Sequence, residues 1–414
     1  MIKNGQKSKK VGYFEHGRKV FVGLSPVGKR ELPTGQAGGS HKKVFVGLSG
    51  GVDSSVSAAL LKRAGYDVTG VFIKVWQPDF LPCTWRDDRR DAMRVAAKLE
   101  IPFLTFDFEK EYKQDVVDYI IREYKAGRTP NPDVMCNKYV KFGAFFNLAR
   151  EMGADFVATG HYARVRRTQN VERKTSEIKE VLRSTLHVPK YELLAGVDEN
   201  KDQSYFLWTL NQKILSHTFF PVGGYKKGKV RELAKKFGLP TFDKKDSQGL
   251  CFIGKLDMKE FLSHYIKPKS GHVLNEKNEV IGHHDGAWFL TPGERHGFTV
   301  TKKSPDDAPF YVFKKDVSKN TITVGPKAEK RAGLGERTSL SGVNWIGETP
   351  KTGREYGCRQ RYHAPLSLCK IENVSEREAG LSVKKNSDVF APGQSCVLYD
   401  GDVCLGGGII GSRR

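Results

Sequence analysis

Ser49-Gly50-Gly51-Val52-Asp53-Ser54-Ser55 follows an apolar run at 44–46 and leads into a helix-like stretch ending near Lys62. A strand, a glycine-rich turn and a helix in that order predict a phosphate cradle. The paired glycines let the backbone approach an anion, Ser49, Ser54 and Ser55 offer hydroxyls, and the N–H groups of a helix start point at the ligand. The turn is not a Walker A loop, because it lacks both the Gly-x-x-x-x-Gly-Lys-Ser/Thr spacing and a Lys after its glycines. A nucleotide is expected, but not γ-phosphoryl transfer. The plain alternative is a Ser/Gly turn that merely closes a strand-helix unit.

Outward from this turn, apolar runs alternate with amphipathic stretches to about residue 165. Residues 44–46, 68–75, 103–108 and 156–159 read as buried strands, and 86–99, 109–124 and 139–152 as helices between them. Short continuous apolar strands spaced by helices predict an α/β fold with a doubly wound parallel sheet. Ligands of such sheets sit at the carboxyl ends of the strands, so the turns after Leu48 and at Thr159-Gly160-His161 should share one edge. Residues 166–190 are polar and rich in Lys, Arg and Glu, and read as a surface insertion. Order resumes from Asp198, with an apolar piece over 206–215 and a helix over 229–237 stopped by Gly238-Leu239-Pro240. Beyond Leu256 the chain breaks into short apolar pieces split by Gly, Pro and Asn. That pattern predicts a small β-rich central domain over 256–325 and a C-terminal β-barrel over 326–414. A nucleotide-binding domain over 42–255 and a flexible basic extension over 1–41 complete the expected organisation.

With 414 residues the chain is long for one core. Charge is the outlier: 69 Lys plus Arg against 47 Asp plus Glu leaves +22. Such an excess suits a polyanion, first of all nucleic acid, although an inert basic surface would give the same count. No apolar run has the length of a membrane helix and no signal peptide opens the chain, so a soluble protein without a membrane partner is expected. Seven Cys at 83, 136, 251, 358, 369, 396 and 404 form no Cys-x-x-Cys pair. They fit a reducing cytoplasm with thiols available for chemistry, and no structural zinc or other metal site.

Within the extension, Lys19-Val20-Phe21-Val22-Gly23-Leu24-Ser25 reappears as Lys43-Val44-Phe45-Val46-Gly47-Leu48-Ser49. The first copy continues with Pro26, which lacks the N–H a cradle needs. It reads as part of a duplicated appendage with little transit-peptide character. Gly223-Gly224-Tyr225-Lys226-Lys227-Gly228-Lys229 approaches a Walker A loop, but Val230 stands where the hydroxyl belongs and no useful strand precedes it. Gly406-Gly407-Gly408-Ile409-Ile410-Gly411 spells Gly-x-Gly-x-x-Gly with no helix to follow, and reads as a bent terminal strand.

Two cysteines stand in polar surroundings. Cys136 follows Thr129-Pro130-Asn131-Pro132-Asp133, whose prolines predict a rigid loop, and Asp133 lies three residues away as a candidate proton carrier. Cys251 follows Lys244-Lys245-Asp246-Ser247-Gln248-Gly249-Leu250, where nearby Lys favours thiolate. Each alone reads as structural more readily than as catalytic. Both beside a nucleotide cradle suggest more: where a nucleotide adenylates a carbonyl oxygen, as the PP-loop resemblance given below implies, one cysteine can carry sulfur as a persulfide and the other can release it by forming a disulfide.

Ser-Gly-Gly-x-Asp-Ser resembles the PP-loop of the ATP pyrophosphatases. Five further motifs occur with it in order: 126–133 leading to Cys136-Asn137, Ala158-Thr159-Gly160-His161-Tyr162, Lys201-Asp202-Gln203-Ser204-Tyr205-Phe206, Gly249-Leu250-Cys251-Phe252-Ile253-Gly254, and Leu405-Gly406-Gly407-Gly408-Ile409-Ile410. Together they resemble the tRNA-specific 2-thiouridylases over roughly residues 43 to 411. The resemblance implies ATP-dependent replacement of O2 of the wobble uridine of tRNA by sulfur, with AMP and pyrophosphate released and Mg²⁺ accompanying ATP. It implies ATP contacts at Gly47, Leu48, Ser49, Gly50, Gly51, Val52, Asp53, Ser54, Ile73 and Gly160. Cys136 would be the nucleophile, Cys251 the persulfide carrier and Asp133 the acid/base. Asn131, Pro132, Asp133, Lys201, Asp202, Gln203, Arg361 and Tyr362 would contact tRNA, and a cysteine desulfurase or sulfur-relay protein would donate the sulfur. Gln248 and the 291–297 segment depart from the family pattern. The competing expectations are a PP-loop synthetase or amide ligase acting on a small molecule, and a non-catalytic RNA-binding protein.

Overall fold

A computed structural model describes residues 10–15, 18–23, 42–80, 85–168, 190–246, 251, 257–301, 308–326, 336–383 and 390–411. Met1–Ser40 and His41–Arg414 are separate units. In the first, β1 (Lys10–Glu15) and β2 (Arg18–Gly23) pair antiparallel, so the early copy of the repeat is strand like the later one. The rest of the extension and residues 169–189 of the polar insertion lie outside the described residues.

The second unit opens with β3 (Lys43–Gly47), α1 (Val52–Arg63), β4 (Asp67–Lys74), α2 (Trp85–Lys98) and β5 (Phe103–Asp107). Val44 and Val46 on one face and Phe45 on the other are all buried, as a strand covered on both faces must be. Next, α3 (Glu109–Tyr112) runs through a π-helical turn, Lys113–Val117, into α4 (Asp118–Lys125). α5 (Pro132–Met135) likewise passes through a π-helical stretch, Cys136–Phe145, into α6 (Phe146–Glu151). The chain then forms β6 (Phe156–Ala158), the hairpin β7 (Ala163–Thr168) and β8 (Lys190–Ala195), a 3-10 turn at Ser204–Leu207, α7 (Gln212–Leu215), β9 (Thr218–Phe219) and α8 (Lys227–Lys236).

The first sheet has the order β5-β4-β3-β6-β9 with every pairing parallel. Chain order runs outward from β3 to β5 on one side and from β6 to β9 on the other, so it reverses between β3 and β6. Doubly wound sheets bind ligands at such a reversal. On one face α1 and α8 meet through Val52, Val56, Val230 and Ala234. On the other, Phe45, Val71 and Ile73 pack with Tyr112, Ile120, Val140 and Phe145.

α9 (Met258–Ser263) leads to the central sheet, built from β10 (Gly271–Leu274), β11 (Val280–His284), β12 (Phe298–Val300), β13 (Phe310–Asp316) and β14 (Thr321–Pro326) in the order β12-β11-β10-β14-β13. The last six strands are β15 (Glu336–Trp345), β16 (Glu355–Arg359), β17 (Ser367–Val374), β18 (Glu378–Val383), β19 (Ser395–Asp400) and β20 (Val403–Ile410). They follow the order β15-β18-β17-β16-β19-β20, and a β15–β20 pairing closes them into a barrel around Leu340, Ile371, Leu381 and Leu398.

One hairpin crosses between layers. β8 pairs with β20, so β7 and β8 extend the barrel sheet although they lie within the first 255 residues. The ends of the polar insertion, 166–168 and 190, are therefore strand and not loop. Tyr205 donates to the Ser395 carbonyl at 2.8 Å and Asn344 Nδ2 to the Trp208 carbonyl at 2.8 Å, which ties the barrel to the sheet domain.

Candidate active site

The turn after β3 has the shape its glycines require. Gly50 takes φ +73°, and a Cβ there would run into the Asp88 carbonyl. Gly51 caps α1 without a side-chain bond, which leaves the first N–H groups of the helix to a ligand. Gly160, after β6, lies so close to α1 that a Cβ would sit 2.7 Å from the Ser54 nitrogen. Ile73 borders the end of β3, with its Cδ1 3.9 Å from a Cβ built on Gly47. Leu48 is buried and its N–H is spent on the Val71 carbonyl at 2.7 Å, so its part in the turn is to anchor it.

The three serines divide. Ser49 is exposed, and its hydroxyl lies 3.3 Å from that of Ser54, which is buried and donates to the Gly51 carbonyl at 3.1 Å. Ser55 is fully buried, donates to the Gly51 carbonyl at 2.7 Å and accepts from Thr241 at 3.1 Å. Its hydroxyl holds the helix start together and is not offered to a ligand, contrary to the sequence expectation. A side chain two positions along a strand-helix turn points into the core, which composition does not reveal.

Asp53 is held by groups distant in sequence. Lys227 Nζ donates to both its oxygens at 2.8 Å, and Tyr162 donates to Oδ1 at 2.8 Å. Lys227 also meets Asp246 at 2.9 Å, where Lys201 and Arg231 each donate at 2.7 Å. Burial pushes the Asp246 carboxyl up, but Lys201 and Lys227 outweigh it and hold it down at about 2. Lys227 belongs to the segment set aside as a false Walker A. The segment is no P-loop, yet its lysine reaches the real phosphate turn because α8 packs along α1.

Cys136 does not stand in a loop. Asn131 caps α5, its side chain accepting from the Val134 N–H at 3.2 Å, and Pro132 takes the first helical position. Proline blocks a helix interior but suits a first turn, where its missing N–H has no partner to lose. Cys136 is fully buried at the start of the π-helical stretch. Its thiol donates to Cys251 Sγ at 3.7 Å across 115 residues of sequence.

Cys251 is fixed at its backbone. Its N–H donates to Asp133 Oδ1 at 3.1 Å and its carbonyl accepts from the Tyr112 hydroxyl at 2.8 Å. Residues 247–250 and 252–256, which carry the rest of its motif and Gln248, lie outside the described residues. Burial pushes the Cys136 thiol up, and the bond it donates to Cys251 adds to that. That same bond pulls Cys251 below the ordinary thiol range against burial, with Lys141 helping. Cys251 is thus the member of the pair that more readily carries the negative charge. Burial raises Asp133, which makes it a better proton carrier near neutral pH.

The lysine that acts on Cys251 is Lys141, not the Lys244-Lys245 pair beside it in sequence. Lys244 is spent on Asp88 at 2.8 Å and Asp91 at 2.7 Å. Lys141, Tyr112, His161 and Lys227 are the participants that the motif reading left out of the site. The spacing Cys-x₄-Lys in 136–141 was a usable signal only with the π-helical register in hand.

The residues expected at RNA have unequal freedom. Asp202 is buried, accepts from the Gly196 and Ser204 N–H groups at 3.0 Å, and takes Arg359 Nη1 at 2.9 Å. Its carboxylate is committed inside the protein. Gln203 accepts from the Tyr162 N–H at 3.0 Å, and Lys201 is paired with Asp246. Arg361 is exposed, and the Tyr362 ring lies 4.4 Å from Phe206, which is itself next to the helix of Cys136. Gln394 Nε2 donates to the Thr129 carbonyl at 3.1 Å, and Thr129 meets Thr291 at 3.2 Å, so all three layers grip the segment before Asn131.

No helix among the described residues is long and apolar enough to cross a membrane. Three family models match the chain: a tRNA methyl transferase HUP domain at 42–255, a tRNA methyl transferase PRC-barrel domain at 259–326 and an aminomethyltransferase beta-barrel domain at 337–410. The chain is 41% identical over 381 residues to a tRNA-specific 2-thiouridylase MnmA of Enterococcus faecalis, covering 90% of this chain and 96% of that one. It is 42% identical over 372 residues to the protein of that name from Oceanobacillus iheyensis, covering 89% and 94%. It is 40% identical over 374 residues to the one from Francisella tularensis subsp. novicida, covering 89% and 99%.

Proposed function

The chain belongs to the tRNA-specific 2-thiouridylase family, and we infer that it uses ATP to replace O2 of the wobble uridine of tRNA with sulfur, releasing AMP and pyrophosphate. The observation that carries the chemistry is the 3.7 Å approach of Cys136 and Cys251. Two facing thiols suit sulfur transfer, and a methyl transfer would have no use for them, whatever the family models are called.

ATP is assigned to Gly47, Leu48, Ser49, Gly50, Gly51, Val52, Asp53, Ser54, Ile73 and Gly160. The Gly50 turn, the uncapped start of α1 and the close approach of Gly160 support that reading. Asp53 is the carboxylate that would hold Mg²⁺. Lys227 Nζ donates to both oxygens of that carboxylate, so the ion would have to take its place there; its other ligands would come from phosphates and water, and it would neutralise charge on the departing pyrophosphate. In this structure Lys227 supplies the positive charge at that place.

Sulfur transfer needs both thiols. The perthiolate of Cys251 attacks C2 of the adenylated uridine, the C–S bond forms, and AMP leaves with the electron pair of the C2–O bond. Cys136, its proton passed to Asp133, attacks Cys251 Sγ. The Sγ–Sγ bond forms, the bond to the transferred sulfur breaks, and that electron pair stays on the thiocarbonyl. The cysteines end as a disulfide of about 2.05 Å, and two external thiols must reduce it before the next turn. The sulfur comes from a persulfide-bearing donor protein, and the reaction is assigned to the cytoplasm.

Arg361 and Tyr362 are proposed to take phosphate and base from tRNA, with the edges formed by Asn131 to Asp133 and Lys201 to Gln203. Asp202 contributes by setting the loop, since its carboxylate is committed to Arg359. The domain limits are proposed at 42–255, 256–325 and 326–414, after an extension over 1–41. Cys136→Ser and Cys251→Ser should each abolish thiolated tRNA while ATP and tRNA still bind. Unchanged thiolation in both variants would remove the two-cysteine mechanism.

A further inference from the structure

The helix of Cys136 has a second face that the thiol chemistry does not use. Cys136 is buried against Cys251, whereas Met135, Lys138 and Tyr139 line a cavity of about 310 Å³. Met135 precedes the other two by three and four residues, the spacing that puts helical side chains on one side. Tyr119 and Arg122 of α4 and Ile409 of β20 complete the wall. A cavity of this volume falls at the lower end of small-molecule sites.

The lining sets cations over rings. The Lys138 ammonium lies 4.8 Å from the centre of the Tyr139 ring, and the Arg122 guanidinium 5.7 Å from that of Tyr119. Arg122, Lys138 and Tyr139 are all exposed. The carboxylates beside Arg122 in the chain are engaged elsewhere: Glu123 accepts from Arg128 at 2.5 and 2.8 Å, and Asp118 pairs with Lys113. Among the described residues neither Arg122 nor Lys138 forms an ion pair. Buried Met135 and half-buried Ile409 give the cavity an apolar floor. The Tyr119 hydroxyl is shut from solvent with no hydrogen-bond partner among the described residues, an unmet polar atom in the wall of a cavity.

Unpaired cations, ring faces and an apolar floor in one place suit a nucleotide, because rings stack a base and cations take its phosphate. Asp115, which also lines the cavity, repels phosphate and accepts from a base amine, so the edge it meets is that of a base. The helix then says which strand the nucleotide belongs to. A nucleotide in the cavity and a uridine at the thiol pair would flank one helix about 10–12 Å across, a distance that a few unstacked nucleotides span. We propose that this cavity binds a nucleotide of the anticodon loop next to the wobble uridine, with its base on the Tyr139 ring and its phosphate at Lys138 and Arg122. The site rests on the tRNA reading above and adds to it a contact away from the thiols.

The test is binding of a fluorescent anticodon stem-loop RNA to the full chain without ATP, read by anisotropy. Tyr139→Ala should lose about tenfold in affinity, while Tyr139→Phe keeps the ring and stays within about twofold of the unchanged protein. Lys138→Gln and Arg122→Gln should each weaken binding and lower the salt slope by about one. A second stem-loop carries 2-aminopurine beside the wobble uridine, on the 5′ and 3′ sides in turn. On one side its emission should be quenched by the unchanged protein and by the Phe variant, and not by the Ala variant. An Ala variant that binds within about twofold of the unchanged protein and still quenches overturns the proposal, as does a Phe variant that loses as much as Ala. Emission recovered on adding AMP would assign the cavity to a free nucleotide and overturn it as well. No saturable binding by the unchanged protein would sink the tRNA reading and this site with it, whereas full binding by the Ala variant sinks this site alone.

Discussion

The phosphate turn and the thiol pair lie in the same domain but are built in opposite ways. The backbone of the turn is local: seven consecutive residues, one glycine at φ +73° and one helix start set its path, although Lys227 and Tyr162 hold the Asp53 carboxylate from afar. The pair is assembled from afar. Cys136 arrives on a capped helix, while Cys251 is held by Asp133, Tyr112 and Cys136, all more than 100 residues away in sequence. A local device can be broken by one backbone change, whereas an assembled one fails when any supporting segment shifts.

The largest effect that separates the two should come from Asp53→Ala. Loss of the charged centre of the phosphate turn should slow pyrophosphate release by about 10²-fold or more, while iodoacetamide labelling of Cys251 stays unchanged. Labelling that falls in parallel would mean the regions are not independent. Next, Gly50→Ala forces a Cβ into the left-handed region against the Asp88 carbonyl. Strain of about 1–3 kcal/mol should lower the thermal midpoint and weaken ATP binding, with labelling of Cys251 untouched. The smallest is Asn131→Ala, which removes the cap of the helix carrying Cys136. It should cost about 0.5–2 kcal/mol and slow sulfur transfer more than pyrophosphate release. The reverse order would show that the cap serves the nucleotide side.

The same contrast explains what the sequence could tell. Buried runs such as 44–46 disclosed the parallel strands because both faces of that sheet are covered. Turn chemistry disclosed the phosphate site because its residues are neighbours in the chain. The helix beginning at Pro132 was hidden, since the proline that argues for a loop is also the residue best suited to a first helical position. Lys141 was hidden by its five-residue spacing, which an α-helical reading sends to the wrong face. Lys227 was hidden inside a failed motif, and its role comes from the packing of α8 on α1. The commitment of Asp202 to Arg359 needed the barrel in place before it could be seen.

The account rests on Cys251 giving one sulfur atom to uridine and Cys136 releasing it by forming a disulfide with Cys251, and a single turnover without reductant tests it most directly. Protein persulfidated at Cys251 would be mixed with ATP and tRNA, quenched by alkylation and digested. The prediction is one Cys136–Cys251 disulfide for each thiouridine formed, and none when ATP is left out. Thiouridine formed with both cysteines recovered as alkylated thiols would contradict it.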